Sequence, residues 1–457
     1  MMRKTYLLQD PYDTDAIAFM QAIFTDFGLR PTCFYTDPKA RYYGEREYPI
    51  LRSKAVEASF DADLDDVADL VRRVTEHHDV VGIVPYREDT VEVAAEVLKH
   101  VDIGANSAEV LARCRDKFAM KQHLANGDPA VRVPQSFAVR TFDDVAACGL
   151  SSRFVLKPNS GMGSTNLGIF SGTDDRDAIE KHLELDPKRD WVAEEFIEGI
   201  EYRVSGLVRR DATVQTLAVF QYIPFRVDER FTMAYGAESQ IASTDERFGI
   251  LQEYAESAIR ALGICGLPFH MEVKIDDQGP ALIDFGARVA SESTGHLLSQ
   301  MHPDRPNMYS VAGHDYIGPN RFAMDPVDYA HYDSGTSMLV YGISDIEGII
   351  RSLDGFDEIE AMPEFVSWPV RPHVGDPIRA MRKLRDSPYI VVLRHDGSLE
   401  RTLELVDHVR RTIRINERSE LSTRARGVAV YTAGRARRKA RWLAHRLWEA
   451  DRLRRLR

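Results

Sequence analysis

One stretch near residue 280 constrains the fold of this chain more than any other. Residues 269–291, FHMEVKIDDQGPALIDFGARVAS, read as two short strands joined by a compact loop at residues 277–279, which ends in glycine, the residue most tolerant of a left-handed conformation. If the hairpin is centred on Gln278, Glu272 lies directly opposite Asp284. Facing side chains are about 5 Å apart, where two like charges destabilise each other. The pair therefore indicates a bound cation.

Alternation with period two divides this hairpin into two faces. The expected core face carries Met271, Val273, Ile275, Ala281, Ile283 and Phe285. The expected polar face carries His270, Glu272, Lys274, Leu282, Asp284, Gly286 and Arg288. Oxygen ligands suit Mg²⁺ or Mn²⁺, so the polar face is either a metal site or the solvated side of an amphipathic hairpin.

Length and composition indicate a multidomain protein of the ordinary globular kind. A chain of 457 residues with 44% hydrophobic and 28% charged residues predicts two to four domains. The apolar run in the opening MMRKTYLLQD is too short for a signal peptide. No run in the sequence approaches the ~18 apolar residues of a transmembrane helix. The four cysteines are far apart, which favours a reducing, cytoplasmic location over a disulfide framework or zinc site.

The charge is unevenly distributed along the chain. The net charge is −12, but residues 424–457 hold twelve Lys/Arg against Glu449 and Asp451, so this tail carries +10 and the rest about −22. An acidic body argues against general nucleic-acid binding, because such affinity depends on phosphate neutralisation. The basic tail is compatible with a helix. It could contact a membrane surface or a partner, pack on the acidic body, or form a solvated end.

The first hundred residues alternate between strands and helices. Strands at 5–9, 32–35 and 80–85 alternate with helices at 15–27, 64–76 and 91–100. This order predicts a parallel sheet covered on both faces. A G-x-G-x-x-G motif is absent after the first strand, which argues against a dinucleotide site. Residues 86–89, YRED, follow a strand where open α/β sheets bind ligands, although a solvated loop is the favoured interpretation.

Beyond residue 106 the pattern changes to helix and antiparallel sheet. We expect one helix over 107–127, a mobile loop over 226–243, a helix over 248–262 and an irregular segment over 309–330. For residues 331–417 we expect a small α+β unit with strands at 337–341, near Ile359, at 365–370 and at 389–393, and with helices from Ser344 and over 399–412.

A glycine-rich loop lies between two strands in residues 154–170, FVLKPNSGMGSTNLGIF. Such a loop lets backbone N–H groups and small hydroxyls close on phosphate oxygens, although a plain hairpin turn would use the same residues. Here the chain resembles the ATP-grasp superfamily. Lys117 in RDKFAMKQHL and Lys157 in FVLKPNSG are similar to its two phosphate-contacting lysines. The loop similar to its phosphate-covering glycine loop contains Ser160, Gly161, Gly163, Ser164 and Thr165.

The resemblance covers roughly residues 1–420. In VAEEFIEGIEY it places Glu194 and Ile197 at the adenine edge and Glu201 at the ribose hydroxyls. It implies an α/β and α+β multidomain protein with the ATP-grasp fold. The expected division is a pre-grasp α/β domain at 1–105, a nucleotide- and metal-binding core at 106–330, a lid-like α+β domain at 331–420 and a basic helical tail at 421–457.

The hairpin carries the resemblance to the reaction centre. Glu272 and Asp284 are similar to the two metal-binding carboxylates, and Arg288 to the arginine at the reacting phosphate. Gly286-Ala287-Arg288 is most like the ligases that join two L-amino acids, whereas many ATP-grasp enzymes have Glu-x-Asn-Pro-Arg. This sequence departs from that pattern at two positions. Asp284 is one methylene shorter than glutamate, and Gly286 offers no side-chain ligand.

The resemblance implies an ATP-dependent carboxylate–amine ligase with ATP and Mg²⁺ or Mn²⁺ as cofactors. A substrate carboxylate would form an acyl phosphate, and an amine would then displace the phosphate. Glu292 is expected to favour a polar or cationic first substrate, with a surface glutamate as the alternative. Other ATP-grasp ligases of the carboxylase or purine-pathway type, and a catalytically impaired nucleotide-binding protein, are alternative interpretations. The sequence leaves open the two substrates, the number of metal ions and whether the protein is a homodimer.

Overall fold

The structure is a computed structural model that describes residues 2–150, 153–161, 163, 165–187, 190–226, 233–290, 294–318, 322, 325–381 and 384–416. No helix within these ranges is long and apolar enough to cross a membrane. The expected basic helix at 421–457 lies outside the described residues. Four short 3-10 turns, at Pro49–Arg52, Leu64–Asp66, Tyr332–Ser334 and Leu384–Asp386, join the longer elements described below.

The N-terminal unit is a parallel sheet between helices, as the alternating pattern predicts. Its elements are β1 (Arg3–Gln9), α1 (Thr14–Phe27), β2 (Arg30–Tyr35), α2 (Pro38–Glu47), β3 (Ala58–Asp61), α3 (Val67–Thr75), β4 (His78–Ile83) and α4 (Glu88–Val97). The strand order is β3-β2-β1-β4, and every neighbouring pair is parallel. The central strands β1 and β2 are buried almost throughout, because helices cover both faces of such a sheet.

A second unit begins with two helices where one was expected. Its elements are α5 (Ala108–Arg115), α6 (Lys117–Gly127), β5 (Ser136–Val139), α7 (Phe142–Ala147), β6 (Phe154–Pro158), β7 (Gly168–Phe170), α8 (Arg176–Leu183) and β8 (Trp191–Glu195). The strands form an antiparallel sheet in the order β5-β8-β6-β7. The prediction of one helix over 107–127 is wrong because Asp116 is extended and its side chain accepts from the Ala119 N–H, which starts a new helix.

An eight-stranded antiparallel sheet forms the centre of the molecule. Its first elements are β9 (Ile200–Val208), β10 (Val214–Arg226), β11 (Met233–Gln240), α9 (Glu246–Leu262), β12 (Leu267–Asp276) and β13 (Gly279–Gly286). Then follow α10 (Thr294–Met301), α11 (Met308–Ile317) and β14 (Thr336–Tyr341). The remaining elements are β15 (Gly348–Ile349), β16 (Leu353–Asp354), α12 (Phe356–Glu360), β17 (Phe365–Val370), β18 (Pro377–Ile378), β19 (Ile390–His395), α13 (Leu399–Thr412) and β20 (Arg414–Ile415).

The large sheet has the order β13-β12-β9-β10-β11-β14-β19-β17. Strands from the expected 106–330 and 331–420 domains are therefore hydrogen-bonded neighbours, through the pairing of β11 with β14. The pairs β15–β18 and β16–β20 form two small ribbons beside it. Any boundary near residue 330 would thus run through a continuous sheet.

Four expectations about local structure are wrong. The expected loop over 226–243 contains β11, which hydrogen-bonds to β10 and β14 on its two sides. The expected irregular segment over 309–330 contains α11, which is buried on nearly every side and so lacks amphipathic periodicity. Residues from Ser344 to Glu347 do not form a helix, and Ile359 lies in the short helix α12 rather than in a strand.

Candidate active site

The β12–β13 hairpin confirms the pairing of Glu272 with Asp284 but corrects the faces. The hairpin closes one residue more tightly than expected, and a bulge between Glu272 and Val273 restores the register. Val273 therefore pairs with Leu282, and both lie in the hydrophobic core. Ile283 becomes the extra residue and lines the pocket above the sheet. The predicted positions of Leu282 on the polar face and of Ala281 and Ile283 in the core are all wrong: Ala281 pairs with Lys274 on the polar face, because a bulge shifts the alternation by one residue.

The neighbouring strand β9 extends the polar face. Glu201 pairs with Lys274, and Arg203 pairs with Glu272. The Lys274 ammonium lies 3.9 Å from the Glu201 carboxylate and donates to the Ile197 carbonyl at 3.1 Å. Lys274 thereby links Ile197, expected at the adenine edge, to Glu201, expected at the ribose hydroxyls.

A single pocket collects most of the expected site residues. Its wall includes Lys117, Lys157, Gly161, Gly163, Thr165, Glu194, Ile197, Glu201, Glu272, Asp284 and Arg288. Ser160 is adjacent in sequence but does not line this wall. Ser164 and Glu292 lie outside the described residues, so their expected roles stay predictions. Residues far apart in sequence, and weak as separate motifs, thus converge on one cleft.

One end of the pocket is apolar. Val155 on β6 pairs with Ile169 on β7, and both line the wall. Phe196, Ile197 and Leu384 add to the same apolar lining. Sites for flat heteroaromatic rings are predominantly apolar with a few fixed polar groups, so the pocket offers a place for a purine beside its charged groups.

Lys157 belongs to a buried charge triad with Glu194 and Lys121. The Glu194 carboxylate lies 2.8 Å from Lys157 and also accepts a hydrogen bond from Lys121. Burial favours the neutral lysine, but Glu194 and Asp284 outweigh it and raise the pKa of Lys157. Burial lowers the pKa of Lys121 to about 7 in spite of Glu194. The carboxylate of Glu194 therefore orients Lys157, which is a different task from the one implied by the resemblance.

Lys117 is the first residue of α6, and its ammonium pairs with Asp284 at 2.5 Å. Asn159 fixes this helix terminus to the glycine loop, because its carbonyl accepts from the Lys117 N–H and its side chain from the Phe118 N–H. Burial raises the pKa of the Asp284 carboxyl, but Lys117 and Lys157 outweigh it and hold the pKa well below the usual range. The break at residue 116 thus places a lysine over the hairpin.

The glycine loop has the backbone that the motif predicts. Gly163 lies in the left-handed region with φ +58°, and an added Cβ would meet nothing within 4 Å. Asn166 is also left-handed, with φ 54°. A glycine in this conformation provides a sharp turn at low steric cost, so the loop can fold back over the pocket that Gly161, Gly163 and Thr165 line.

The arginine expected at the reacting phosphate is held by the N-terminal unit. The Arg288 Nε donates to Glu88 at 2.6 Å, and Arg115 donates to the other oxygen of Glu88 at 2.6 Å. Burial would raise the pKa of Glu88, but Arg288 and Arg115 outweigh it and hold the pKa below the ordinary value. The interpretation of residues 86–89 as a solvated loop is wrong for Tyr86, Arg87 and Glu88, all of which are buried.

The carboxylates of the hairpin fit a divalent cation, although two ligands alone do not complete a site. Burial, with Glu201 and Asp284 nearby, raises the pKa of Glu272 to about 8, and the Tyr222 hydroxyl donates to it at 3.3 Å. A cation would relieve the repulsion that keeps this carboxyl protonated. Among the described residues, no group of three or more His, Cys, Asp or Glu side chains is positioned to hold a metal. Further ligands would have to come from water or phosphate oxygens, as Mg²⁺ commonly accepts.

The glycine that departs from the superfamily pattern has a steric reason. Gly286 pairs directly with His270, and a Cβ added at Gly286 would lie 2.0 Å from the His270 ring. His270 is a half-buried residue of the pocket wall, and its Nδ1 has no hydrogen-bond partner among the described residues. The imidazole therefore occupies the space that a longer side chain at position 286 would need.

Comparison with known proteins identifies the part of the chain that carries the two lysines, the glycine loop and the hairpin. Residues 114–291 match the family model described as an ATP-grasp domain. The chain therefore contains an ATP-grasp domain over these residues. The match begins just before Lys117 and ends after Arg288, so it includes the glycine loop, the Glu194 segment and the whole hairpin.

Relatives and solved structures extend this similarity beyond the matched domain. The uncharacterized protein y4rH of Sinorhizobium fredii is 22% identical over 393 residues, 82% of this chain and 76% of that protein. Dapdiamide A synthase of Enterobacter agglomerans is 25% identical over 246 residues, 48% of this chain and 56% of that protein. The crystal structure of an L-amino acid ligase from Bacillus licheniformis superposes with a TM-score of 0.71 at 18% identity, covering 92% of this chain and all of that one. Its likeness shows the shared ATP-grasp fold.

Several residues of the site were not among the expected ones. Lys121 lies one helical turn after Lys117, a spacing that could have suggested a second inward lysine. His270 and Lys274 were assigned to the polar face without a role. Glu88 follows a strand end, where ligands bind in open sheets, but its contact with Arg288 spans 200 residues and has no local signal.

Proposed function

We propose that this ATP-grasp protein is an ATP-dependent ligase that joins a carboxylate to an amine, both from amino acids, through an acyl phosphate. In the first step a carboxylate oxygen of one substrate attacks the γ-phosphorus of ATP, and the bond to the β–γ bridging oxygen breaks to release ADP. In the second step the amine nitrogen attacks the acyl carbon and loses a proton. The carbon–oxygen bond to phosphate breaks, and phosphate leaves.

The observation that carries this proposal is the meeting of three cations and two facing carboxylates in one pocket. Lys117, Lys157 and Arg288 come from three separate elements, whereas Glu272 and Asp284 face each other across the hairpin. Phosphoryl transfer requires mainly positioning and charge neutralisation from the protein. Oriented cations beside a carboxylate pair are the arrangement that this chemistry needs.

The lysines have separate tasks in this account. Lys157, held by Glu194 at 2.8 Å, is fixed before the nucleotide arrives and provides a permanent positive charge. Lys117 is paired with Asp284, and in this account it would exchange this partner for a phosphate oxygen of the bound nucleotide. Because both contacts are charge-assisted hydrogen bonds, the exchange keeps the lysine neutralised throughout.

The candidate cation ligands are Glu272 and Asp284. A divalent cation held by these carboxylates would act as a Lewis acid and neutralise charge on the phosphate oxygens. The two negative charges for that cation would come from Asp284, once Lys117 contacts phosphate instead, and from Glu272 in its deprotonated form. The glycine loop around Gly163 closes the cleft and keeps water from hydrolysing the acyl phosphate.

The assignment of amino acids as substrates rests on the named relatives and on the hairpin. A dapdiamide synthase and an L-amino acid ligase share this fold or domain, and the Gly286-Ala287-Arg288 segment resembles the ligases that join two L-amino acids. We further propose that Glu292 favours a polar or cationic first substrate. An unchanged substrate profile in Glu292→Ala would contradict this part alone.

The experiment measures ADP release with Mg·ATP across a panel of amino acids, supplied singly and in pairs. We expect release that requires two amino acids and yields one amide for each ADP. Asp284→Asn should abolish the signal, whereas Asp277→Asn, which removes the same charge from the exposed turn of the same hairpin, should leave it within about twofold. ADP release that needs bicarbonate or a purine precursor would instead favour the carboxylase or purine-pathway alternative.

A further inference from the structure

Glu88 is shared between two buried arginines at the boundary between the N-terminal unit and the pocket. It is the first residue of α4, which follows the carboxyl end of β4 after the connection at residues 84–87, and only 6% of its surface is exposed. One carboxylate oxygen accepts from Arg288 Nε and the other from Arg115 Nη1, both at 2.6 Å. Arg115 closes the last turn of α5, so three elements meet at one carboxylate.

Arg288 is held at two of its guanidinium nitrogens. Its Nε donates to Glu88, and its Nη1 donates to the Val289 carbonyl at 2.6 Å. Two such bonds fix both the position and the plane of a rigid guanidinium. Since the side chain still lines the pocket, its orientation toward a reacting phosphate is set before any substrate binds.

An arginine side chain that rotated freely would stabilise the charge on a reacting phosphate less than a fixed one. Ordering an arginine side chain costs rotamer entropy, and charge stabilisation contributes most when the donor needs no reorganisation during the reaction. In the folded protein, the hydrogen bond from Arg288 to the Glu88 carboxylate already orders the guanidinium before a substrate binds. Arg115 in turn fixes the Glu88 carboxylate, because it donates a hydrogen bond to the oxygen that Arg288 does not contact.

We infer that Glu88 is a positioning residue that acts on the reaction through Arg288, with Arg115 as its anchor. This inference rests on the proposed function, in which Arg288 contacts the transferred phosphoryl group. It assigns part of the active site to the N-terminal unit, outside the matched ATP-grasp domain at 114–291. A role limited to tying the N-terminal unit to the remainder of the molecule is the alternative that the experiment must separate.

The test is a double-mutant cycle of wild type, Glu88→Gln, Arg288→Lys and the double variant, measured as amine-dependent ADP release. Glu88→Gln should lower kcat by about 10- to 100-fold, the scale expected for a misplaced catalytic group, with the KM for ATP changed by less than about twofold. In the Arg288→Lys background the same substitution should cost less than about threefold, because the arginine it positions is absent.

Glu92→Gln is the matched control. Glu92 lies one turn further along α4, its side chain is 62% exposed, and its carboxylate is 3.9 Å from Arg115. Removing this charge should leave kcat within about twofold of wild type. A loss equal to that of Glu88→Gln would show that the charge of α4 matters rather than the position of Glu88, and would overturn the inference.

Thermal unfolding separates positioning from folding. If Glu88→Gln does not fold, Glu88→Asp, which retains the charge, takes its place in the cycle. Equal fold-losses in both backgrounds, or a loss confined to the KM for ATP and the melting temperature, would overturn the positioning role while wild-type activity still supports the proposed function. A wild type that releases no ADP with any amino-acid pair would overturn the proposed function, and the inference with it.

Discussion

The two main sheets contribute to the pocket in opposite ways. The parallel sheet β1–β4 contributes from its end, since Glu88 follows β4 and reaches the pocket from the start of α4. The eight-stranded antiparallel sheet contributes from its face, since Glu201, Glu272 and Asp284 project from adjacent strands. A parallel sheet has both faces covered by helices, whereas an antiparallel sheet can keep one face polar.

This difference separates the tasks of the two regions. The face of the antiparallel sheet sets the spacing of charges, because strand register fixes Glu272 opposite Asp284 and Lys274 opposite Glu201. The end of the parallel sheet provides orientation, because the Glu88 carboxylate reaches an arginine that follows β13. We therefore expect substitutions on the face to remove the charges needed for reaction, and substitutions at the end to misplace them.

After the complete loss expected for Asp284→Asn, the largest effect is expected at Lys157, which lies on β6 and lines the pocket above the sheet face. Lys157→Met removes a fixed positive charge and should lower kcat/KM by about 10³-fold, or about 4 kcal/mol. Glu194 keeps its pairing with Lys121 in this variant, so the fold should survive. Steady-state ADP release measures the effect, and Lys181→Met, at an exposed position on α8, is the control. Retention of more than a tenth of the activity would contradict a charge-setting face.

The β-bulge provides the next test, because it exchanges the environments of two adjacent residues. Leu282→Ala removes a fully buried side chain and should lower the free energy of unfolding by about 3 kcal/mol. Ile283→Ala lies in the pocket wall and should cost less stability but weaken nucleotide binding. Thermal unfolding and nucleotide titration of both variants check this. The opposite ranking would contradict the observed register.

The contact between Gly286 and His270 predicts a clash and its rescue. Gly286→Asn should destabilise the protein by about 2 kcal/mol, because the new side chain meets the His270 ring. Gly286→Asn/His270→Ala should recover part of this loss in thermal unfolding. Gly249→Asn, where an added Cβ meets nothing within 4 Å, controls for the substitution itself. A double variant no more stable than Gly286→Asn would show that the imidazole is not the obstacle.

The last prediction concerns pH. Because the pKa of Glu272 is raised to about 8, a proton competes with the cation below that pH. Apparent affinity for Mn²⁺ in the presence of ADP should rise about tenfold per pH unit from pH 6 toward 8, or about 1.4 kcal/mol per unit, and level off above it. Titration followed by electron paramagnetic resonance measures it. Glu272→Gln should lose this slope, and an unchanged slope in that variant would assign the proton to another group.

Much of the sheet face could be predicted from the sequence, because alternation and register are local properties. The facing of Glu272 and Asp284 followed from one hairpin with strands of 10 and 8 residues, and the motifs around Lys157 and Glu201 lie on strands with clear patterns. The bulge at Ile283 was not predictable in this way, since an inserted residue leaves no mark on the hydrophobic pattern. It changed the faces of Ala281, Leu282 and Ile283 without disturbing the carboxylate pair.

The burial and contacts of Glu88, at the end of the parallel sheet, could not be predicted in the same way. Whether Glu88 is solvated or buried depends on Arg115 and Arg288, which no local pattern connects to it. The same limit applies to α11 and β11, whose surroundings are supplied by distant elements. The pairing of Glu194 with Lys157 and Lys121 likewise required the register of β6 against β8 and the placement of α6.

The most direct test of the account follows the fate of one oxygen atom. The first amino acid is supplied with both carboxylate oxygens labelled with ¹⁸O, together with Mg·ATP and the second amino acid, and the released phosphate is analysed by mass spectrometry. An acyl phosphate transfers one labelled oxygen to phosphate, so we predict one ¹⁸O per phosphate, matched by one ADP and one amide product. Unlabelled phosphate, or ADP formed without an amide, would contradict carboxylate–amine ligation at this site.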